Sequence, residues 1–454
     1  MHVLEIIADA IRGSKFDGDL FEVGGSVRDR LLGLPSPEDF DLVTQQSATD
    51  LANFLWNCGI TTGKPVIYQN FGTAMIAVCN CQIEIVQARR ESYRTVSRKP
   101  IVVAASYLED ARRRDFTINT LLSTLRGSEV IDLLGNGRED LFKGVLRTPL
   151  DPVVTFDEDP LRMLRAVRFS AKLSFSYADG LTEAILQNAR RLEVVSIERI
   201  RDEFMKMLCG VNASKALEDM RRLNLLKCML PELNDLKDVA QGNYHHLDVW
   251  GHTLLVLDNL ESTALELRLA ALFHDVGKPQ TKIGEGGKTR FIGHETVGED
   301  LTRTAMTRLR FSKDITERVC RLVKNHMRLG SAPQFSAAAA RKLLRDLGED
   351  VSGLLDLVQA DASSLAPGVK QLNIGSIRNQ LGKVSENLPS LRFESPLSGR
   401  ELMELTRLPP GQHIGDLKAW LLERVLEGEL AQGDKEKAAS LVKRKMKDWS
   451  QNMF

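Results

Sequence analysis

The sequence predicts an α+β protein, in which a small mixed sheet with helices opens the chain and an almost wholly helical remainder follows. Three features support this. Short β-branched or alternating runs separated by Gly, Pro and Asn continue to about Arg147, long helical periodicity begins after Asp151, and a set of histidines punctuates the helical part. At 454 residues the chain exceeds one compact domain and has room for three or four units, each with its own core.

Taken in order, MHVLEIIADAIRG reads as an amphipathic first helix. Glu5 and Asp9 interrupt it, and no charge-free apolar run approaches the ~20 residues of a membrane helix. FEVGG, DFDLVT, FGTAMIAV and QIEIVQ have the pattern of strands. LRMLRAVRFSAKL, DGLTEAILQNARRLEVV and IERIRDEFMKMLCG carry apolar residues three and four apart, as amphipathic helices do. Boundaries are suggested near 235, where LPELNDLKDV gives way to QGNYHHLDVWGHTLL, and near Pro367, before NIGSIRNQLGKVSENLPS. The expected parts are therefore a head (1–148), a helical neck (149–235), a histidine-bearing helical domain (236–366) and a helical tail (367–454). In the tail, LPPGQHIGDL reads as a turn between helices, and Lys443, Arg444, Lys445 and Lys447 form a basic end.

Formal net charge is zero, which argues against a protein that coats nucleic acid through bulk charge, so any RNA must be held by local patches. The six cysteines (Cys58, Cys79, Cys81, Cys209, Cys228 and Cys320) form no CxxC pair or zinc-finger spacing. They read as buried thiols in a reducing compartment, which points to the cytoplasm.

The most informative string is GGSVRDRLLGLPSPEDFDLVT. Asp39 and Asp41 are two apart, and on a strand that spacing turns both carboxylates to one face, where they can share metal ions. Two-metal phosphoryl transfer needs such an anionic ledge, one ion activating the attacking hydroxyl and the other neutralising the leaving pyrophosphate. Gly24 and Gly25 at a strand end would let the backbone approach a triphosphate, and Arg28 adds charge. A D-x-D alone is usually a solvated turn or edge strand; the ordered combination is more specific.

That string resembles motif A of the class II tRNA nucleotidyltransferase and bacterial poly(A) polymerase family. QARRESYRTVSRKP is similar to the family's flexible loop, EDARRRDFTINTLL to its motif B, and IDLLGNGREDLFKGVLRTP to the strand-and-turn motif that follows. DEDPLRMLRAVRF resembles the base-selecting motif and SIERIRDEFMKML the neck-helix motif, so the likeness runs through roughly residues 20 to 210. It implies a minimal polymerase-β-like nucleotidyltransferase head. It also implies that Asp39 and Asp41 hold Mg2+, that Gly25 and Arg28 contact the nucleotide phosphates, and that Arg114 and Asp115 contact phosphate and ribose with support from Asn119. Glu84, on a neighbouring strand, offers a third carboxylate, or is simply an outward strand residue. The run Arg112, Arg113, Arg114 would otherwise be taken for a solvated basic face.

Asp159 and Arg162 lie three apart at a helix start, where both can project toward one ligand. Cytosine and adenine each pair an exocyclic amine with an unprotonated ring nitrogen. A carboxylate accepts from the first and a guanidinium donates to the second, whereas guanine and uracil present a carbonyl and an N–H there. Asp before Pro is equally an ordinary helix cap, and Arg162, Arg165 and Arg168 equally surface charges. The resemblance favours the base-selecting reading and implies that Arg165 and Arg168 line the nucleotide pocket.

His252, His274, His294 and His326 fall within one helical block, with FHDVGKP setting His274 beside Asp275. The set His252, His274, Asp275, Asp361 resembles the HD phosphohydrolase pattern, and His294 and His326 can complete a two-metal site for a divalent ion of unspecified identity. A lone buried histidine is usually structural.

The expected activity is template-independent addition of C, C and A to the 3′ end of tRNA from CTP and ATP, with no membrane and no obligate protein partner implied. The alternatives are a poly(A) polymerase, an enzyme adding only CC or only A, and an HD phosphohydrolase with an RNA-binding head. The full-looking Arg89 to Pro100 segment speaks against CC-only addition, since in the family a shortened loop marks that kind. The intact Asp39 and Asp41 speak against the phosphohydrolase alone.

Overall fold

Val3, Leu4, Ile7 and Ile11 recur at helical spacing and form the buried face of helix α1 (Val3–Ile11). There follow β1 (Leu20–Val23), α2 (Gly25–Leu31), β2 (Asp39–Thr44), α3 (Ala48–Asn57), β3 (Val66–Tyr68), β4 (Thr73–Val78) and β5 (Cys81–Gln87). A hairpin of β6 (Arg89–Ser92) and β7 (Ile101–Ala104) precedes α4 (Tyr107–Arg112), β8 (Leu122–Thr124) and β9 (Val130–Ile131). This computed structural model describes every residue except 1–2, 36–38, 70–71, 93–100, 243–244, 285–287, 330–334, 370–371, 387–392 and 452–454. Most of the expected flexible loop, and parts of the strings at Ser36, Phe71, Tyr244 and Leu388, therefore lie outside the described residues.

The chain forms two compact units, Met1–Pro231 and Glu232–Phe454. In the first, seven strands make one sheet in the order β3-β4-β5-β2-β1-β8-β9. Within this sheet, among the described residues, only β2 and β5 pair in parallel, and their register sets Asp41 opposite Glu84. Phe40, Leu42, Ile83 and Ile85 point into a core shared with Leu4, Ile7, Leu51 and Leu55 from α1 and α3. Asp39 and Asp41 consequently face the other side, as the period of two requires.

Beyond the sheet, α5 (Gly137–Lys143), β10 (Val145–Leu146) and α6 (Pro152–Glu158) lead to α7 (Leu161–Leu173), β11 (Ser176–Tyr177), α8 (Leu181–Asn188), α9 (Ile197–Leu208), α10 (Ala213–Arg222), α11 (Leu225–Met229) and α12 (Pro231–Asn234). Asp151 caps α6 by accepting from Val153 N and Val154 N, with Pro152 at the first helical position.

The second unit comprises α13 (Val249–Asn259), α14 (Leu265–Phe273), α15 (Lys278–Thr281), a small hairpin of β12 (Lys282–Ile283) and β13 (Arg290–Phe291), then α16 (His294–Arg308), α17 (Lys313–Asn325), α18 (Ala337–Leu347), α19 (Val351–Ser363), α20 (Ile374–Glu386), α21 (Gly399–Thr406), α22 (Gln412–Glu427) and α23 (Lys435–Gln451). Among the described residues no helix is long and apolar enough to cross a membrane.

The cysteine expectation needs correction. All six are free thiols, but only Cys320 is buried, while Cys58 and Cys79 are exposed. Cys58 caps the end of α3 and Cys79 sits at positive φ in the β4–β5 turn, so chain reversal brings both to the surface.

Candidate functional site

The carboxylate ledge is built by β2 and its neighbours. Asp39 and Asp41 stand on one exposed face, and the parallel register adds Glu84 to that face beside Asp41. Although Asp41 keeps access to solvent, partial desolvation by the surrounding sheet raises its carboxyl above the usual range. Arg114 and Arg165 pull it down, while Asp39 and Glu22 push it up. Glu84 is likewise raised, first by desolvation and then by Asp41. Like charges crowded on one ledge in this way are relieved by a bound cation.

Gly24 ends β1 at φ +84°, and a Cβ there would come within 3.1 Å of Asp41 Oδ2. A side chain at this corner would be both strained and pressed against the ledge. Arg28, expected as a free phosphate contact, is buried. Its Nε is 2.7 Å from Asp29 Oδ1 and its Nη1 2.8 Å from Asn119 Oδ1. Asn119 in turn donates to Asp115 Oδ1 at 3.0 Å.

Asp115 is the anchor of the neighbouring cluster. Its burial alone would raise the carboxyl, but Arg165 and Asn119 outweigh that and hold it down at about 2. Arg165 reaches on to Glu203 (3.6 Å), and Arg168 Nε donates to Glu203 Oε2 at 2.6 Å. Arg114 is tied back to Asp110 at 2.9 Å, as is Arg113 at 2.6 Å. Of the basic run, Arg113 and Arg114 are thus tied down, while Arg112 is exposed.

Asp159 and Arg162 have other partners. Asp159 Oδ1 accepts from Leu161 N at 3.2 Å, a cap of α7, and Oδ2 pairs with Arg199 at 2.9 Å. Arg162 is buried and donates to the carbonyls of Arg113 and Thr155. Sequence reasoning passed over Asp110, Phe169, Arg199 and Glu203. The i,i+3 and i,i+4 spacing of Asp110 to Arg113 and Arg114 was the available signal for the first.

In the second unit His252 comes from α13, His274 and Asp275 from the turn after α14, His294 from the start of α16, His326 from the end of α17 and Asp361 from α19. Two sets have all their ligand atoms within 4.8 Å of one another: His252, His274 and Asp275, and Asp275, His294 and His326. Among the described residues the head carboxylates form no group that tight. Asp275 serves both sets, with Oδ2 3.1 Å from His274 Nε2 and Oδ1 3.5 Å from His294 Nε2. His274, His294 and His326 each place Nδ1 2.6–2.7 Å from a backbone carbonyl. A carbonyl only accepts, so Nδ1 carries the proton and a neutral ring turns the Nε2 lone pair inward, as metal ligation needs.

His252 Nε2 lies 3.0 Å from Asp361 Oδ1. Burial would raise Asp361, but that bond and the charges of His274 and His252 bring it to about 2. Lys278 Nζ sits 2.6 Å from Asp275 Oδ2, a contact whose i,i+3 spacing was its available signal in the sequence. Gly277 is required because a Cβ there would meet His294 O at 2.2 Å.

A mixed-sheet head with a carboxylate ledge and an arginine cluster, followed in the chain by a histidine–aspartate centre, defines a nucleotidyltransferase with an HD domain. The chain matches the poly A polymerase head domain over residues 20–147, the probable RNA and SrmB-binding site of polymerase A over 175–237, and the HD domain over 244–365. It is 33% identical over 443 residues to a CC-adding tRNA nucleotidyltransferase of Thermus thermophilus, covering 93% of each chain. It is 35% identical over 353 residues to an A-adding tRNA nucleotidyltransferase of Deinococcus radiodurans, covering 74% of this chain and 79% of that one. The crystal structure of the Bacillus stearothermophilus CCA-adding enzyme with CTP shares the fold, with a TM-score of 0.72 and 24% identity over 99% and 98% of the two chains. The chain belongs to the tRNA nucleotidyltransferase and poly(A) polymerase family.

Proposed function

We propose that this chain extends the 3′ end of tRNA without a template, adding C, C and A from CTP and ATP. The observation that carries the reading is the shared face of Asp39, Asp41 and Glu84 beside the Arg165–Asp115 cluster. Asp39 and Asp41 are the residues that would hold Mg2+ there. When bound, the ion supplies Lewis-acid activation of the terminal hydroxyl and neutralises the departing pyrophosphate.

The protein's own part is positioning and charge. The Gly24–Gly25 corner leaves room beside the ledge, Arg114, Arg165 and Arg168 supply positive charge, and Arg28 acts by fixing Asn119 and through it Asp115. Asp159 and Arg162 would read the base once Leu161 N and Arg199, and the carbonyls of Arg113 and Thr155, release them to the incoming nucleotide.

A second reading, addition of CC alone or A alone, is supported by the two relatives described above, one CC-adding and one A-adding. Poly(A) synthesis has only the shared head motifs in its favour. The test is purified full-length chain with tRNA transcripts ending before the CCA and after CC, given each nucleotide alone and all together. A product of three residues on the first transcript supports full CCA addition; arrest after CC, or growth only on the second, supports the partial enzymes. No incorporation on either would overturn the reading.

The HD centre belongs to the same proposal as a binding site for a divalent metal, His252, His274, Asp275 and Asp361 being one ligand set and His294 and His326 extending it. A metal-dependent phosphohydrolase activity is the chemistry such a centre supplies.

A further inference from the structure

Phe169 touches the nucleotide machinery without contributing a polar atom to it. The guanidinium carbons of Arg168, Arg28 and Arg165 lie 4.3, 4.9 and 5.3 Å from its ring centroid. All three are inside the ~6 Å reach of a cation–π contact. The ring is buried and meets Phe116 edge-to-face at 5.8 Å and 83°. Two of the arginines share α7 with Phe169, and the third comes from α2, next to the Gly24–Gly25 corner and the ledge.

Each of these guanidiniums also has a carboxylate at 2.6 Å: Asp29 for Arg28, Asp115 for Arg165 and Glu203 for Arg168. A carboxylate orients an arginine by consuming its charge and its N–H donors, the two properties a triphosphate needs. An aromatic face orients the same group through its quadrupole and leaves both available. When a polyanion draws donors away from Asp115 and Glu203, the ring is the partner it cannot displace.

We infer that Phe169 is a positioning residue for the incoming nucleotide, its ring holding Arg165 and Arg168 in one array with the buried Arg28 while the triphosphate engages the N–H groups of Arg165 and Arg168. The inference rests on the nucleotidyl-transfer reading above. It assigns Phe169 to affinity for the nucleotide and not to the chemical step.

The test is steady-state kinetics of the full-length chain on a tRNA transcript lacking its CCA end, with F169L, F169M and F169Y, and thermal unfolding of each. The aliphatic variants keep apolar volume and lose the ring; F169Y keeps the ring. The expected result is a rise of about tenfold in KM for each nucleotide the wild type incorporates, with kcat within about threefold, in F169L and F169M alone. F169Y behaves as wild type. Unshifted KM in folded F169L and F169M overturns the inference, as does a fall in kcat at constant KM, or an F169Y as impaired as F169L. Failure of both aliphatic variants to fold also overturns it, because the ring would then serve the core. A wild type inactive with every nucleotide refutes the transfer reading itself, which is distinct from an active wild type whose variants show no KM change.

Discussion

Arg165 places two donors on one oxygen of Asp115, with Nε at 2.8 Å and Nη2 at 2.6 Å from Oδ2, while Oδ1 accepts from Phe116 N and Asn119. The carboxyl is thereby held at about 2, below its ordinary 3.8. A depressed carboxylate stabilises the fold fully above its unfolded value and loses that contribution as pH falls toward and through about 2. Asp115→Asn should therefore cost about 2 kcal/mol at neutral pH and flatten the stability profile between about pH 4 and 2. Urea midpoints across that range provide the measurement, and an unchanged profile would show that Asp115 is not a source of acid lability.

Asp39→Ala or Asp41→Ala should abolish nucleotide incorporation while leaving the thermal transition near that of the wild type, since both side chains are exposed on the ledge. Removing one such charge-stabilising group costs several kcal/mol, on the order of a thousandfold in rate. Retention of more than about a tenth of the activity in either variant would place the chemistry elsewhere.

Asp159→Ala and Arg162→Ala should alter the choice of nucleotide before they alter joining. Each removes one bond to cytosine or adenine, worth roughly 1–3 kcal/mol of discrimination. Ratios of kcat/KM for CTP and ATP against GTP and UTP, on one tRNA primer, are the readout. Uniformly lower rates with constant ratios would show that the pair caps α7 and braces the carbonyls of Arg113 and Thr155 without reading bases.

His274→Ala should remove bound divalent metal, and any phosphohydrolase activity with it, while nucleotide addition stays within about twofold, because the two sets of residues lie in different units. Metal content after dialysis and both activities are measured together. Equal damage to both would reveal a metal on which the whole chain depends for folding.

Gly277→Ala tests the packing behind that centre. A methyl 2.2 Å from the His294 carbonyl forces the start of α16 outward, and overpacking of this kind costs about 1–3 kcal/mol. Metal affinity should fall with stability, because His294 moves with the helix. A variant with wild-type affinity and stability would mean that the backbone yields at no cost.

The ledge could be read from sequence because a strand's period of two is local: Asp39 and Asp41 share a face whatever surrounds them. Helix periodicity similarly announced α7 and α9, and residue types announced the HD centre. Apart from the local pairs of Asp110 and Lys278, what escaped was set by contacts distant along the chain. Arg28 reads as a free cation until Asn119, 91 positions later, closes on it. Asp159 meets Arg199 from α9, and the division of Asp275 between two histidine pairs exists only once four segments converge. The surface positions of Cys58 and Cys79 depend on where α3 and the β4–β5 turn end, which composition does not specify.

The parallel pairing of β2 with β5 bears on how this head tolerates change over evolution. Opposing residues Asp41 and Glu84 stay together only while both strands keep their count. Losing a single residue between Phe40 and Thr44 would invert the strand, driving carboxylates into the apolar layer and Leu42 into water. Insertions in the turn after Thr44 shift nothing on the ledge. Length variation among descendants of this sequence is therefore expected to accumulate in the turns, while the strands change by substitution alone.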